Sequence, residues 1–245
     1  MKRLTLMTLL LFAVPALADE TRTVPPFRGL DVGGGIEARV DEGALGIRLG
    51  GPAEVLQHVT TEVRDGMLRV QYEDGYTPPE RVKLTLAATM PRAEGLAVSG
   101  GARMHASVPV AEKLGLAASG GGELHLAKPI GPRKLAISAS GGSTITVPGI
   151  ESVELALQLS GASKVTLAGR AEETTLAMSG AAQLDAARLE VSRLTLQGSG
   201  GSKAAIRAMA VSAGSLSGGT EVRVPASAQV GALATSGGAQ LRRDL

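Results

Sequence analysis

The sequence predicts an all-β fold, a right-handed parallel β-helix of about eight rungs of ~20 residues, and three observations predict it. The dipeptide Ser-Gly returns at Ser99, Ser119, Ser140, Ser160, Ser179, Ser199, Ser217 and Ser236, in steps of 20, 21, 20, 19, 20, 18 and 19 residues. Apolar residues alternate with polar ones in register with that interval. Gly, Ala, Ser, Val and Leu dominate while aromatic residues make up 2% of the chain, a composition suited to many thin stacked layers.

Residues 1–18 read as a secretory signal peptide. Lys2 and Arg3 precede the apolar stretch Leu4 to Val14, and Ala16-Leu17-Ala18 is a small-residue cleavage site. Cleavage near Ala18 places the protein in the periplasm, outside the cell or on its surface. It also removes two basic residues, leaving 23 Lys and Arg against 23 Asp and Glu. A balanced charge removes the electrostatic basis for a nucleic-acid partner. No later stretch approaches the ~18 consecutive apolar residues of a membrane span. The chain has no cysteine, so disulfides cannot hold it together.

Residues 19–92 lack the repeat and read as a β region that caps the first rung, because an open rung end is an exposed strand edge. Val59 to Tyr72 alternates around Asp65-Gly66, a two-residue hairpin signal. Phe27 to Val40 and Ala44 to Leu49 read as strands, and Asp74 to Glu80, with Pro78-Pro79, as a loop.

Residues 93–245 form the repeat, one continuous domain with the cap. Five residues after each serine stand Met104, Leu124, Ile145, Val165, Leu184, Ala204, Val222 and Leu241. Four after it stand Arg103, Glu123, Thr144, Lys164, Gln183, Lys203, Glu221 and Gln240. This alternation marks a strand with one buried face. Three residues before the serine come Leu96, Leu116, Ile137, Leu157, Leu176, Leu196 and Leu233, with Gly214 out of pattern. Each rung is therefore strand, glycine corner, strand and a longer return, in which a third short strand can lie. Leu116, Leu157, Leu167 and Leu196 should be buried; Glu123, Lys164 and Lys203 should be exposed. Leucine-rich repeats would need helical segments, and propeller blades about forty residues each.

The stretch Val63 to Val70 followed by units such as Leu157 to Ser163 and Ile137 to Ser143 resembles the bacterial head GIN domain family, described as autotransporter adhesin heads. The likeness covers roughly Phe27 to Leu245. It implies a β-helical fold and a place outside the cytoplasm, and it brings no catalytic residues with it.

The residues themselves offer few sites for chemistry. Eight equivalent corner serines are repeat-structural, their hydroxyls free to bond to local backbone and to each other. No Gly-x-Ser-x-Gly elbow singles one out. His105 and His125 both lie six residues after their serine, so they should stack on adjacent rungs about 4.8 Å apart. With Glu123 on the same face as third ligand, they are the candidate metal set. Polysaccharide-active β-helices need paired carboxylates, and Asp185 has no acidic neighbour in its column. Outward positions four and two before the serine are mostly small: Gly95 and Ala97, Gly115 and Ala117, Ala136 and Ser138, Ala156 and Gln158. They make one flat face of low charge. The expected function is non-enzymatic: an exported binding or surface-structural protein, adhesin-like, without a cofactor, whose partner is a glycan or an envelope protein. The alternative is a lyase or hydrolase acting on cell-envelope polysaccharide.

Overall fold

Every Ser-Gly glycine has a left-handed backbone, with φ between 52° and 75°. A side chain is disfavoured in that region. The same glycines stack against one another: a Cβ on Gly161 would lie 2.9 Å from the nitrogen of Gly141. The corner therefore needs glycine for two reasons, its own torsion and the approach of the next rung.

The computed structural model describes residues 17–79 and 82–245. The chain opens with β1 (Leu17–Arg22), β2 (Gly29–Val32), β3 (Glu37–Glu42), β4 (Gly46–Pro52) and one helical turn, α1 (Ala53–Leu56). β5 (Val59–Arg64), β6 (Met67–Tyr72) and β7 (Thr85–Met90) follow. The repeat begins with β8 (Ala93–Val98), β9 (Arg103–Ser107), β10 (Val110–Ala118), β11 (Glu123–Leu126) and β12 (Lys134–Ala139). It continues through β13 (Thr144–Leu159), β14 (Lys164–Met178), β15 (Gln183–Gly198) and β16 (Lys203–Leu216) to β17 (Glu221–Val224), β18 (Gln229–Thr235) and β19 (Gln240–Arg243). Of the expected signal segment, residues 1–16 lie outside the described residues, while Leu17 and Ala18 open β1. Among the described residues no helix is long and apolar enough to cross a membrane.

The result is a β-solenoid of about eight turns, with 65% of the described residues in strand. Equivalent strands pair in parallel register, as Leu116 with Ile137, Ile137 with Leu157, and Leu157 with Leu176. Leu116, Leu157, Leu167 and Leu196 are each no more than 2% exposed. Lys164 and Lys203 are exposed, whereas Glu123 is half-buried. Gly214 takes the place of a leucine between Leu196 and Leu233. A Cβ there would lie 2.9 Å from Leu196 Cγ and 3.1 Å from Leu233 Cδ1, so the neighbouring leucines fill the missing volume.

The return segments do more than the sequence suggested. β13 to β16 run straight through them, and Ile150–Ser152, Gly169–Ala171 and Leu189–Val191 pair as a third face. Register shifts at Val147/Ile150 and Thr166/Ala168 absorb the unequal rung lengths.

Residues 29–42 are a rung without serine. Leu30, Ala38 and Val40 are buried in the same columns as their counterparts in the repeat, and β2 and β3 pair in parallel with β8 and β9. Gly34 continues the glycine column, for a Cβ on Gly100 would lie 3.2 Å from its nitrogen. On the far side β6 and β7 pair in parallel with β2 and β3. The chain order is thus not the spatial order: residues 29–42 lie between 67–90 and 93–107. β1, β4 and β5 add antiparallel strands to this end.

Candidate functional site

The corner serines are not the main hydrogen-bond donors of the rungs. In three rungs a buried Ser or Thr three positions later donates instead, whereas Ser163 in the same column is buried without a partner among the described residues. Ser143 Oγ donates to the Ala118 carbonyl at 3.0 Å, Ser202 Oγ to Ser199 at 3.2 Å, and Thr220 Oγ1 to Ser217 at 2.9 Å. Each gives its own buried hydroxyl a backbone acceptor at the corner. The sequence carries the signal as a Ser or Thr in a column otherwise made of Ala and Gly.

His105 and His125 meet as the register demands. β9 and β11 pair His105 with His125, and the two rings stack with centroids 5.2 Å apart and planes 13° from parallel. Burial holds the His125 pKa below its ordinary value; His105 pushes the same way and Glu123 opposes both. Glu123 is engaged elsewhere, its carboxylate accepting from Arg103 Nε at 3.2 Å. Among the described residues no three His, Cys, Asp or Glu side chains converge where they could hold a metal ion.

Two depressions lie on the same sheet where a small residue interrupts a column of long ones. Ala87 pairs with Arg39 on one side and Arg48 on the other. The hollow above it, about 440 Å³, is bordered by Arg39, Arg48, His105, Asp19 and Glu37. Ala205 similarly separates Asp185 from Arg223, leaving about 430 Å³ flanked by Lys164 and Lys203. The first hollow was invisible in the sequence because Arg48 reaches it through an antiparallel strand outside the repeat.

On another face of the rod the small outward residues form a shallow trough. Its floor is Gly95, Ala97, Gly115, Ala117, Ala136 and Ala156, with a volume of about 390 Å³. Met67 lies across Gly29 and Gly95 at one end. The floor continues into a hollow of about 590 Å³ bordered by Lys113, Lys134, Glu154 and Glu173. Toward the corner it runs into one of about 450 Å³ bordered by Ser160, Ser179 and Ser199. The middle trough shares Gly115, Ala136 and Ala156 with the first of these and Ser138 and Gln158 with the second, so they make one surface: small side chains in the middle, charge along one border and hydroxyls along the other.

His58, which suggested nothing in the sequence, stacks on Tyr76 with ring centroids 4.1 Å apart, and Tyr72 leans on Tyr76 at 5.7 Å. His58 Nδ1 lies 3.1 Å from Glu73 Oε2. The cluster ties the 73–79 loop to β6 and to His58 just before β5.

The sequence matches the model of a family described as "putative auto-transporter adhesin, head GIN domain" over residues 26–228. No curated protein is significantly similar. Among solved structures the chain is similar to a putative adhesin from Parabacteroides merdae, at 17% identity and a TM-score of 0.81, covering 94% of this chain and 96% of that one. A Parabacteroides distasonis protein described as a putative lipid binding protein is similar at 13% identity and a TM-score of 0.80, over 94% and 97% of the two chains. At these identities the likeness is one of fold.

Proposed function

This chain belongs to the head GIN domain family, and from that membership we propose that it is an adhesin-like binding protein of the cell envelope or surface. It acts outside the cytoplasm, non-enzymatically, and holds a glycan or an envelope protein against the solenoid. The observation that carries this reading is the trough over β8, β10, β12 and β13. Its Gly and Ala floor lets an extended chain approach the sheet closely, and its charged and hydroxyl borders offer hydrogen bonds along the length of that chain. Stacked rungs repeat these groups at a constant spacing, which suits a partner that is itself linear and repetitive.

The test is binding of the purified protein to envelope polysaccharides and envelope protein fractions, with wild type beside Ala136→Arg. Ala136 is exposed, so the arginine should leave the melting temperature unchanged. It should weaken binding on the order of tenfold, about 1.4 kcal/mol. Release of glycan fragments by the wild type would replace this reading with an enzymatic one. Equal binding by both proteins would move the contact to another face.

A further inference from the structure

We propose that His105 and His125 form a two-imidazole binding site for a late divalent transition metal, of the class of Cu²⁺, Ni²⁺ and Zn²⁺. The site lies on the outer face of the sheet, away from the trough. Its backbone is ordered before any metal arrives. β9 is paired on both sides, with β3 and β11, and β11 is paired on both sides, with β9 and β13. Holding two ligands in register normally costs conformational entropy, and the ladder has already removed most of that freedom.

The geometry is within reach of chelation. An imidazole nitrogen binds such a metal at about 2.0–2.1 Å, so one ion can be shared by two nitrogens up to ~4 Å apart. Rings stacked with centroids 5.2 Å apart and planes 13° from parallel direct their nitrogen lone pairs alongside one another. Chelation therefore requires both side chains to turn about Cα–Cβ and Cβ–Cγ until a nitrogen of each points at one ion, a tilt that leaves the backbone ladder in place. Neither ring has a hydrogen-bond partner among the described residues that would resist the tilt, in contrast to His58 beside Glu73. The surrounding charges are also compatible with a cation. Arg39, next to His105 in the ladder, donates to Asp41 at 2.7 Å, and Arg103 donates to Glu123 at 3.2 Å. These two guanidinium groups are each balanced by a carboxylate, and Arg48, which borders the same hollow as His105, lies two strands beyond Arg39 in the ladder, across Ala87. Glu123 stays with Arg103, and water completes the coordination around the two imidazoles. Among these metals Cu²⁺ binds most tightly, following the usual order for nitrogen ligands.

The experiment is calorimetric titration of the full, untagged chain with CuCl₂ and with ZnCl₂. It uses wild type, His105→Ala, His125→Ala, His58→Ala and Glu123→Gln, with thermal melts to confirm that each variant folds. One equivalent should bind to the wild type. Either His105→Ala or His125→Ala should weaken it on the order of tenfold or more, while His58→Ala and Glu123→Gln should stay within about threefold. In the Zn²⁺ titration, ring proton signals of His105 and His125 should shift together. Equal affinity of wild type and His125→Ala overturns the site, as does a loss confined to His58→Ala. A tenfold loss in Glu123→Gln overturns the two-imidazole ligand set in favour of one that includes the carboxylate.

Discussion

At Gly161 the left-handed torsion and the 2.9 Å approach to Gly141 act on the same residue. Gly161→Ala should therefore cost about 1–3 kcal/mol, read as a lower urea midpoint with an unchanged slope. Gly142, with nothing within 4 Å of its would-be Cβ, is the control, and Gly142→Ala should stay within about 0.5 kcal/mol. Equal losses at both would refute the argument. His125 carries the other residue-scale prediction. Because burial and His105 lower its pKa from the ordinary 6.5, the folded chain binds its proton less readily than the unfolded one. Its contribution to stability is full above about pH 6.5 and declines as pH falls through that value toward the lowered one. An NMR titration in chelator should place the His125 midpoint below that of a free imidazole, and His105→Ala should move it upward. A midpoint at or above the ordinary value would show that solvent reaches the ring freely.

Strand by strand, apolar columns outweigh ionic ones. Leu157 is 1% exposed and sits between Ile137 and Leu176. Leu157→Ala should cost about 2–5 kcal/mol, through lost burial and the cavity left behind. The ladder of Lys134 with Glu154 at 2.7 Å, and of Arg193 with Glu173, is half open to water. Lys134→Ala should cost less than about 1 kcal/mol, and less still in high salt. Denaturant titration of both variants decides the order, and a larger loss for the lysine would reverse it. The strands of the repeat were legible because period-two alternation is a local property. A third strand in the return was expected, but its register was not legible, since its residues sit at unequal distances from the serine and only the register shifts bring Ile150, Gly169 and Leu189 together.

Along the whole rod, stability should vary with the number of neighbours each rung has. β14 is paired on both sides, with β13 and β15. β18 and β19 pair with β16 and β17 alone among the described strands, and Val230 is 38% exposed. Hydrogen exchange should therefore be faster over Gln229–Thr235 and Gln240–Arg243 than over Leu176–Met178. Uniform protection would mean that the solenoid opens only as one unit.

The interval of the corners, the buried columns and the outward position of His105, Glu123 and His125 were all decided by the sequence alone. They depend on glycine torsions and side-chain alternation, which act within a few residues and then repeat. Tertiary structure alone placed residues 29–42 between 67–90 and 93–107, and brought Arg48 to the hollow over Ala87. It also gave Glu123 to Arg103 rather than to the histidines. Each of these depends on which strand edge is free to pair and on which of several charges in reach is nearest. Those are relations between segments far apart in the chain, and no local pattern encodes them.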